Sequence, residues 1–207
     1  MYKFHNVAQN TDEWLELRIG KVTSSSLATV MANFGKAFGE PAKKYALKIA
    51  LERLTGKRSE YSFSNEHTER GHEQEPFARQ AYEVLNFVDV ENGGFFECEK
   101  YGASPDGLVG DDGLIEIKSV IAATHFDNLK RGAIDPAYKW QCYANLKISG
   151  RKWIDFVSYC EDFTDNKKII VYRINASECD EQFKMIDERL DEFHSLINET
   201  VEMIKSA

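Results

Sequence analysis

Apolar positions recur at steps of three and four along several stretches of the chain and at every second position in others. Ala42, Tyr45, Ala46, Ile49, Ala50 and Leu54 share one helical face, with Pro41 at the entry and Gly56 just past the end. A helix is predicted over Pro41–Leu54, because proline's missing N–H costs nothing in a first turn and glycine readily closes a last one. Thr11 or Asp12 can cap a short helix through Arg18, and Thr23-Ser24-Ser25-Ser26 supplies hydroxyls for the start of another that reaches about Asn33. Glu66–Asn86 is helical in pattern too, but Pro76 lacks an N–H and its ring presses on the preceding turn, which predicts a kink or a restart. Phe77, Ala81 and Val84 mark the face expected to be buried in its second half.

After Asn86 the period changes. Phe87–Glu91 and Gly94–Cys98 are predicted strands. Ala103–Val109 and Gly113–Val120 form a predicted hairpin over Gly110-Asp111-Asp112. Pro136–Ile148 is helical and stops at Ser149-Gly150, and Trp153–Tyr159 and Lys168–Ile174 are apolar β runs on either side of a polar loop. Phe183, Ile186, Leu190, Phe193, Ile197, Val201 and Ile204 then trace one long amphipathic helix with acids on its other face. This order predicts an α/β or α+β layered domain, a mixed central sheet flanked by helices.

At 207 residues with 43% apolar and 29% charged, the chain can bury one sizeable core, and a single domain over 1–207 is expected. Its motif-bearing part is about 12–175 and its C-terminal helix about 177–205. No apolar stretch is long enough to span a bilayer, and Met1–Asn10 is mixed and polar, so nothing suggests export. Cys98, Cys142, Cys160 and Cys179 are too dispersed for a zinc knuckle or redox pair and are expected to be reduced thiols in a cytoplasm.

The net charge of −8 argues at first against nucleic acid as a partner, but the charge is uneven. From Ser177 onward nine acidic residues face three basic ones. Between positions 36 and 58, seven basic residues (Lys36, Lys43, Lys44, Lys48, Arg53, Lys57, Arg58) face only Glu40 and Glu52. That segment is either a solvated helix face or a surface that can track phosphates.

The hairpin carries the chemistry. Side chains two apart on a strand share a face, so Glu116 and Lys118 point one way and Ile117 points into the core. If Val109 pairs with Gly113, Asp106 comes opposite Glu116. Two carboxylates that close either raise one pKa or recruit a cation, and a hard divalent ion such as Mg²⁺ is the default partner for oxygen ligands. Lys118 cannot ligate an ion, but it can hold a phosphate oxygen or orient a water.

Ser104-Pro105-Asp106-Gly107 followed by Glu116-Ile117-Lys118 resembles the signature of the PD-(D/E)XK nuclease superfamily, and within it the lambda exonuclease or YqaJ type of phage recombination nuclease. Three further segments resemble that type: Trp14-Leu15-Glu16-Leu17-Arg18-Ile19-Gly20 with Thr23 and Ser25; Gly71 followed four residues later by Glu75; and Gln141 on the helix after the hairpin. Pro76 beside Glu75 departs from the pattern, as does Tyr143 where a second glutamine is common. The likeness spans about residues 12–150 in four ordered motifs, which makes coincidence far less probable than for any one motif.

The resemblance implies a restriction-endonuclease-like core and a deoxyribonuclease that needs Mg²⁺, with Mn²⁺ able to substitute. It implies that Asp106, Glu116 and the Ile117 main-chain carbonyl hold one or two ions, that Glu75 completes the site or stands behind it, and that Lys118 assists the water. Gln141 would position either Lys118 or a DNA phosphate. Arg18, Thr23 and Ser25, with Ser104 a further candidate, would bind a terminal 5′-phosphate; physically, a guanidinium beside hydroxyls and free N–H groups does form an anion site. The implied activity is 5′-to-3′ degradation of linear double-stranded DNA to mononucleotides, leaving 3′ overhangs. The implied partners are DNA ends, further copies in a toroidal homotrimer and a single-strand annealing protein, in the cytoplasm of a bacterial host carrying a phage or prophage. A structure-specific or nicking endonuclease of the same superfamily, and a non-catalytic DNA-end-binding module, remain as alternatives.

Other site classes fit worse. Leu108 stands where an EF-hand loop starting at Asp106 needs an oxygen ligand, and no glycine-rich nucleotide loop is present. His67 and His72 are five apart and do not share a helical face as two zinc ligands would. The cysteines are too scattered for an iron–sulfur cluster.

Overall fold

The computed structural model describes residues 2–59 and 66–206, with the side chains of residues 66–72 and 165 excepted. His67 and His72 therefore lie outside the described side chains. A five-stranded sheet forms the centre, in the order β3 (Glu91–Asn92), β6 (Gly107–Val109), β7 (Gly113–Ser119), β8 (Trp153–Tyr159) and β9 (Ile169–Asn175). Within this sheet, among the described residues, only β7 and β8 run parallel. Parallel neighbours need a long crossover, which here comprises α5 (Ala122–Arg131) and α6 (Pro136–Ser149). A second, smaller mixed sheet joins β1 (Lys3–His5), β4 (Phe95–Glu97), β5 (Tyr101–Ala103) and β2 (Val22–Thr23). The layered α/β class is as predicted, but two sheets stand where one was expected.

β7 is covered on both faces. Leu114 joins Ile154, Phe156 and, from α6, Cys142 and Leu146 in the larger core, whereas Ile115 and Ile117 meet Val157 and α4 (Glu66–Asn86) on the other side. Truncating either buried isoleucine to alanine would cost about 2–5 kcal/mol. α4 runs as one helix through Pro76 with no restart, and the face it buries is not the predicted one. Ala78 and Tyr82 point inward; Ala81 is half-buried, and Phe77 and Val84 are 60% and 69% exposed. The reason is polar: Tyr82 donates its hydroxyl to buried Asp155 of β8 at 2.6 Å, and Arg173 of β9 grips the same carboxylate at 2.7 and 2.8 Å.

Thr11 caps α1 (Asp12–Leu17) by accepting the Trp14 N–H. Thr23 stands at the N-cap position as expected but makes no side-chain cap bond, and it also ends β2, paired in parallel with β5. A 3-10 turn over Ser24–Ser26 leads into a short α2 (Leu27–Met31). Phe87, predicted to open a strand, has φ of 55° and is exposed, and of that stretch only Glu91 pairs, together with Asn92 beyond it. α3 (Glu40–Thr55) forms as predicted and packs with α2 and α6 against α7 (Asp180–Ser206), so the C-terminal helix lies on helices rather than on the central sheet. None of the four cysteines is in a disulfide. Among the described residues no helix is long and apolar enough to cross a membrane.

Candidate active site

The hairpin register follows from its turn. Val109 pairs with Gly113 and Gly107 with Ile115, and the Asp106 N–H donates to the Ile115 carbonyl at 3.0 Å, which brings Asp106 beside Glu116. The Pro105-Asp106 backbone is held closely from outside. Gln9 donates to the Pro105 carbonyl at 2.8 Å, and a Cβ on Gly93 would lie 1.7 Å from that same oxygen, so only glycine fits at position 93. Asp106 in turn accepts the Ile117 N–H at 2.6 Å through Oδ2, while Arg79 of α4 donates to its carbonyl at 2.5 Å.

Glu116 is fully buried, and each of its oxygens has a donor. Oε1 accepts from Lys118 Nζ at 2.6 Å and Gln141 Nε2 at 2.5 Å, and Oε2 accepts from Asn145 Nδ2 at 2.8 Å. Gln141 and Asn145 are one turn apart on α6, and Tyr138 on the same face places its ring 5.2 Å from the Lys118 ammonium. Burial pushes the Glu116 carboxyl up to about 8, Asp106 adds to the push, and Lys118 and Asn145 restrain it. For Lys118, burial acts to lower the pKa, but Glu116 and Asp106 outweigh it and hold the ammonium protonated.

Glu75 lies across a cleft of about 460 Å³ that it lines with Arg79, Asp106, Gln9 and Asn92. Burial and the Asp106 charge raise its pKa, against Arg79 one helical turn away at 3.7 Å. Among the described residues no three His, Cys, Asp or Glu side chains are gathered tightly enough to hold an ion unaided. The donor chemistry still fits a hard divalent cation. Mg²⁺ keeps several waters and takes one or two carboxylates together with substrate phosphates, and Asp106, Glu116 and Glu75 offer carboxylate oxygens that repel one another without a cation.

The second feature is a cationic cavity of about 220 Å³. Arg18, Lys21, Lys48 and Arg58 line it with Thr23 and Ser26. Burial, helped by nearby Arg58 and opposed by Tyr45 and Glu52, lowers the Arg18 pKa to about 10. The Arg18 guanidinium stacks 4.0 Å from the Trp14 ring centroid. The Thr23 N–H donates to the Tyr45 hydroxyl at 3.1 Å, and its own hydroxyl lies 3.3 Å from Ser25 Oγ. Ser25 itself is not among the lining residues, whereas Ser26 is. Ser104 does not line the cavity either; it is buried and accepts the Trp14 indole N–H at 2.8 Å. Of the basic segment between 36 and 58, Lys48 and Arg58 face this cavity.

Arg79, Asn145, Lys48 and Arg58 carry no motif in the sequence. Asn145 had one faint signal, its helical spacing of four from Gln141.

Residues 13–152 match the model of the YqaJ-like viral recombinase domain, and the chain belongs to that family. It is a nuclease, a hydrolase acting on DNA. Its fold is similar to that of the alkaline exonuclease LHK-Exo from Laribacter hongkongensis, with a TM-score of 0.83 and 33% identity over 95% of this chain and 97% of that one. The structure of LHK-Exo in complex with dAMP matches with the same TM-score at 34% identity and the same coverage. A phage-related exonuclease from Haemophilus somnus 129PT shares the fold, with a TM-score of 0.71 at 18% identity over 89% of this chain and 96% of that one. Among curated proteins there is no match.

Proposed function

We propose that the chain is a Mg²⁺-dependent 5′-to-3′ exodeoxyribonuclease that acts on the ends of linear double-stranded DNA, releases mononucleotides and leaves 3′ single-stranded overhangs for annealing-type recombination. The observation that carries this reading is a rigid bridge between two chemically opposite sites. Trp14 stacks on Arg18 and donates to Ser104, which stands two residues before Asp106. A terminal phosphate held at Arg18 is thereby kept in fixed relation to the carboxylates, as counting off from an end requires. The complex of LHK-Exo with dAMP, a mononucleotide, supports the same reading.

In this reading Asp106, Glu116 and the Ile117 main-chain carbonyl hold one or two ions with help from Glu75, and Mn²⁺ substitutes for Mg²⁺. The bound cation supplies Lewis-acid polarisation of the phosphate and a lower pKa for the attacking water. Lys118 keeps its proton and donates to a phosphate oxygen, offsetting the charge that builds on phosphorus in the transition state. Gln141 and Asn145 orient Glu116, and Arg79 holds the Asp106 main chain. Arg18 grips the terminal phosphate bidentately beside the hydroxyls of Thr23 and Ser26. Ser25 supports Thr23, and Ser104 acts through Trp14 rather than by touching the phosphate.

Assembly into a toroidal homotrimer, work with a single-strand annealing protein and action in the cytoplasm of a phage-bearing bacterial host belong to the same proposal, on the family resemblance. The surplus of acids from Ser177 onward suits it, since a negative exterior repels DNA everywhere except at a basic lining. The test is acid-soluble nucleotide released from linear and covalently closed duplex, with and without Mg²⁺. Release from linear DNA alone, dependent on Mg²⁺, is expected; cleavage of the closed circle overturns the exonuclease assignment.

A further inference from the structure

The turn between Arg18 and Thr23 is gripped from both sides by two adjacent residues of α3. Glu52, buried, accepts the Gly20 N–H at 3.0 Å and the Ser59 N–H at 3.2 Å, one on each carboxylate oxygen. Arg53 donates from Nε to the Gly20 carbonyl at 2.9 Å. Both polar groups of one glycine's main chain are thus taken by consecutive side chains. Gly20 has φ of +70°, and a Cβ there would come within 3.0 Å of Arg53 Cγ, so the arginine stem lies flat against the turn.

Arg53 is braced at its far end. Its Nη2 donates to His194 Nδ1 of α7 at 3.3 Å, and the His194 ring lies against Tyr101 with centroids 5.7 Å apart. An arginine has no acceptor to offer, so His194 must be neutral, with its proton on Nε2. Its buried position beside Arg53 and Lys100 keeps it so. The long acidic helix therefore reaches the Arg18 turn through a chain of two side chains.

Neither Arg53 nor His194 lines the cationic cavity. Arg53 is spent on the Gly20 main chain, so whatever it does for an anion in the cavity it does by placing other groups. Arg18 precedes the gripped peptide by two residues, and Lys21 and Thr23 follow it; all three line the cavity. A guanidinium must meet a phosphate in a defined orientation for two parallel N–H bonds to form, which makes its backbone anchor a determinant of selectivity.

We propose that Arg53 is a positioning residue for this cavity: by holding the Gly20 carbonyl, and being held by His194, it fixes the turn that projects Arg18 and so sets the discrimination between phosphorylated and hydroxyl 5′ ends. This rests on the reading of the Arg18 cavity as the seat of the 5′-phosphate. The experiment measures kcat/KM on duplexes carrying either end for the wild type, Arg53→Met, Arg53→Lys, Arg18→Ala and the Arg18→Ala/Arg53→Met double variant, with melting temperatures alongside.

Arg53→Met is expected to cut the ratio of phosphorylated to hydroxyl ends about tenfold, the worth of roughly one well-placed hydrogen bond. Arg53→Lys, which keeps a donor for the Gly20 carbonyl, recovers part of it. Arg18→Ala erases the ratio, and adding Arg53→Met lowers it no further, because the second change then has nothing left to displace. Equal loss on both ends in Arg53→Met, with the ratio intact, makes Arg53 merely structural and overturns the inference. A further drop in the double variant overturns it as well, since Arg53 would then act on the end directly. If Arg53→Met does not fold, Arg53→Lys decides: a lowered ratio supports positioning and an unchanged one refutes it. An intact ratio in Arg18→Ala refutes the cavity reading itself and takes this inference with it, whereas failure in the Arg53 variants alone leaves that reading standing.

Discussion

The acidic cluster and the cationic cavity are neighbours joined through Trp14 and Ser104, yet they are built in opposite ways. Asp106, Glu116 and Lys118 sit within thirteen residues of one another on a single hairpin, and the pairing of Val109 with Gly113 alone brings them together. The cavity draws Arg18 from the end of α1, Thr23 from β2, Lys48 from α3 and Arg58 from beyond it. In the cluster Glu116 is buried, Asp106 and Lys118 are half-buried, and all three are tightly hydrogen-bonded. In the cavity Arg18 is steadied on Trp14 and Lys21 on Glu97 at 3.0 Å, and the lining comes from several elements, so its geometry depends on how those elements pack. Catalysis should thus be brittle at the hairpin, and end selectivity should be tunable at the cavity.

The largest effect tests the hairpin. Lys118→Ala is expected to remove at least about a thousandfold in cleavage, since it takes away both the charge on the phosphate and the partner of a buried carboxylate. Binding of DNA ends measured in Ca²⁺ should survive; loss of binding together with cleavage would make the lysine structural. Next comes Asn145→Ala, which strips the donor from Glu116 Oε2 while leaving every charge in place. It should lower kcat about 10–100-fold, as loss of groups that orient metal-site ligands generally does, and leaving the oxygen unpaired should cost about 1–3 kcal/mol in denaturant unfolding. Unchanged turnover would show that Gln141 and Lys118 orient Glu116 unaided.

On the cavity side, Arg18→Ala should erase the preference for 5′-phosphorylated over 5′-hydroxyl ends, a loss of about 10–100-fold, the range for hydrogen bonds to a charged group, with little change in melting temperature. A preserved preference would break the contrast between the two regions, because the end would then be read elsewhere. The smallest effect concerns the brace behind the cavity. Burial, Arg53 and Lys100 hold His194 down to about 4, against the weaker pull of Asp191. In the unfolded chain it titrates near 6.5. The unfolded state therefore binds the proton first, and stability declines as pH falls from about 6.5 towards 4, being fully present above that window. Chemical unfolding at pH 5 against pH 7 should show a loss of about 2 kcal/mol from this group, absent in His194→Gln. Equal pH dependence in the two proteins would mean that His194 is protonated in the fold.

How much was legible follows the same contrast. The hairpin, the helix over residues 41–54 and the long C-terminal helix are local patterns of turn residues and periodicity, and each forms, although the first strand of the hairpin shortens to Gly107–Val109 and Ala103 joins the smaller sheet. α5 gave no apolar period because the side chains it buries are His125 and Asn128, held by Ser158 and the Lys167 carbonyl. α4 was expected to bury Phe77 and Val84, but the hydroxyl of Tyr82 finds a buried carboxylate some seventy residues away and turns the helix about its axis. Gln141 was reachable only through the family likeness, whereas Asn145 and Arg79 find their partners across 29 and 27 residues of chain.

By itself the amino-acid sequence determined the periodic helices, the alternating strand that presents Glu116 and Lys118 together, and the turn that sets Asp106 opposite them. All of these are short-range consequences of backbone geometry. Only the tertiary structure decided which helix faces meet the sheet, that α6 brings two amides onto one carboxylate, and that Arg18 shares a cavity with Lys48 and Arg58. Those outcomes turn on which distant polar groups must be paired once water is excluded, and that is settled by packing among all the elements rather than within any one of them.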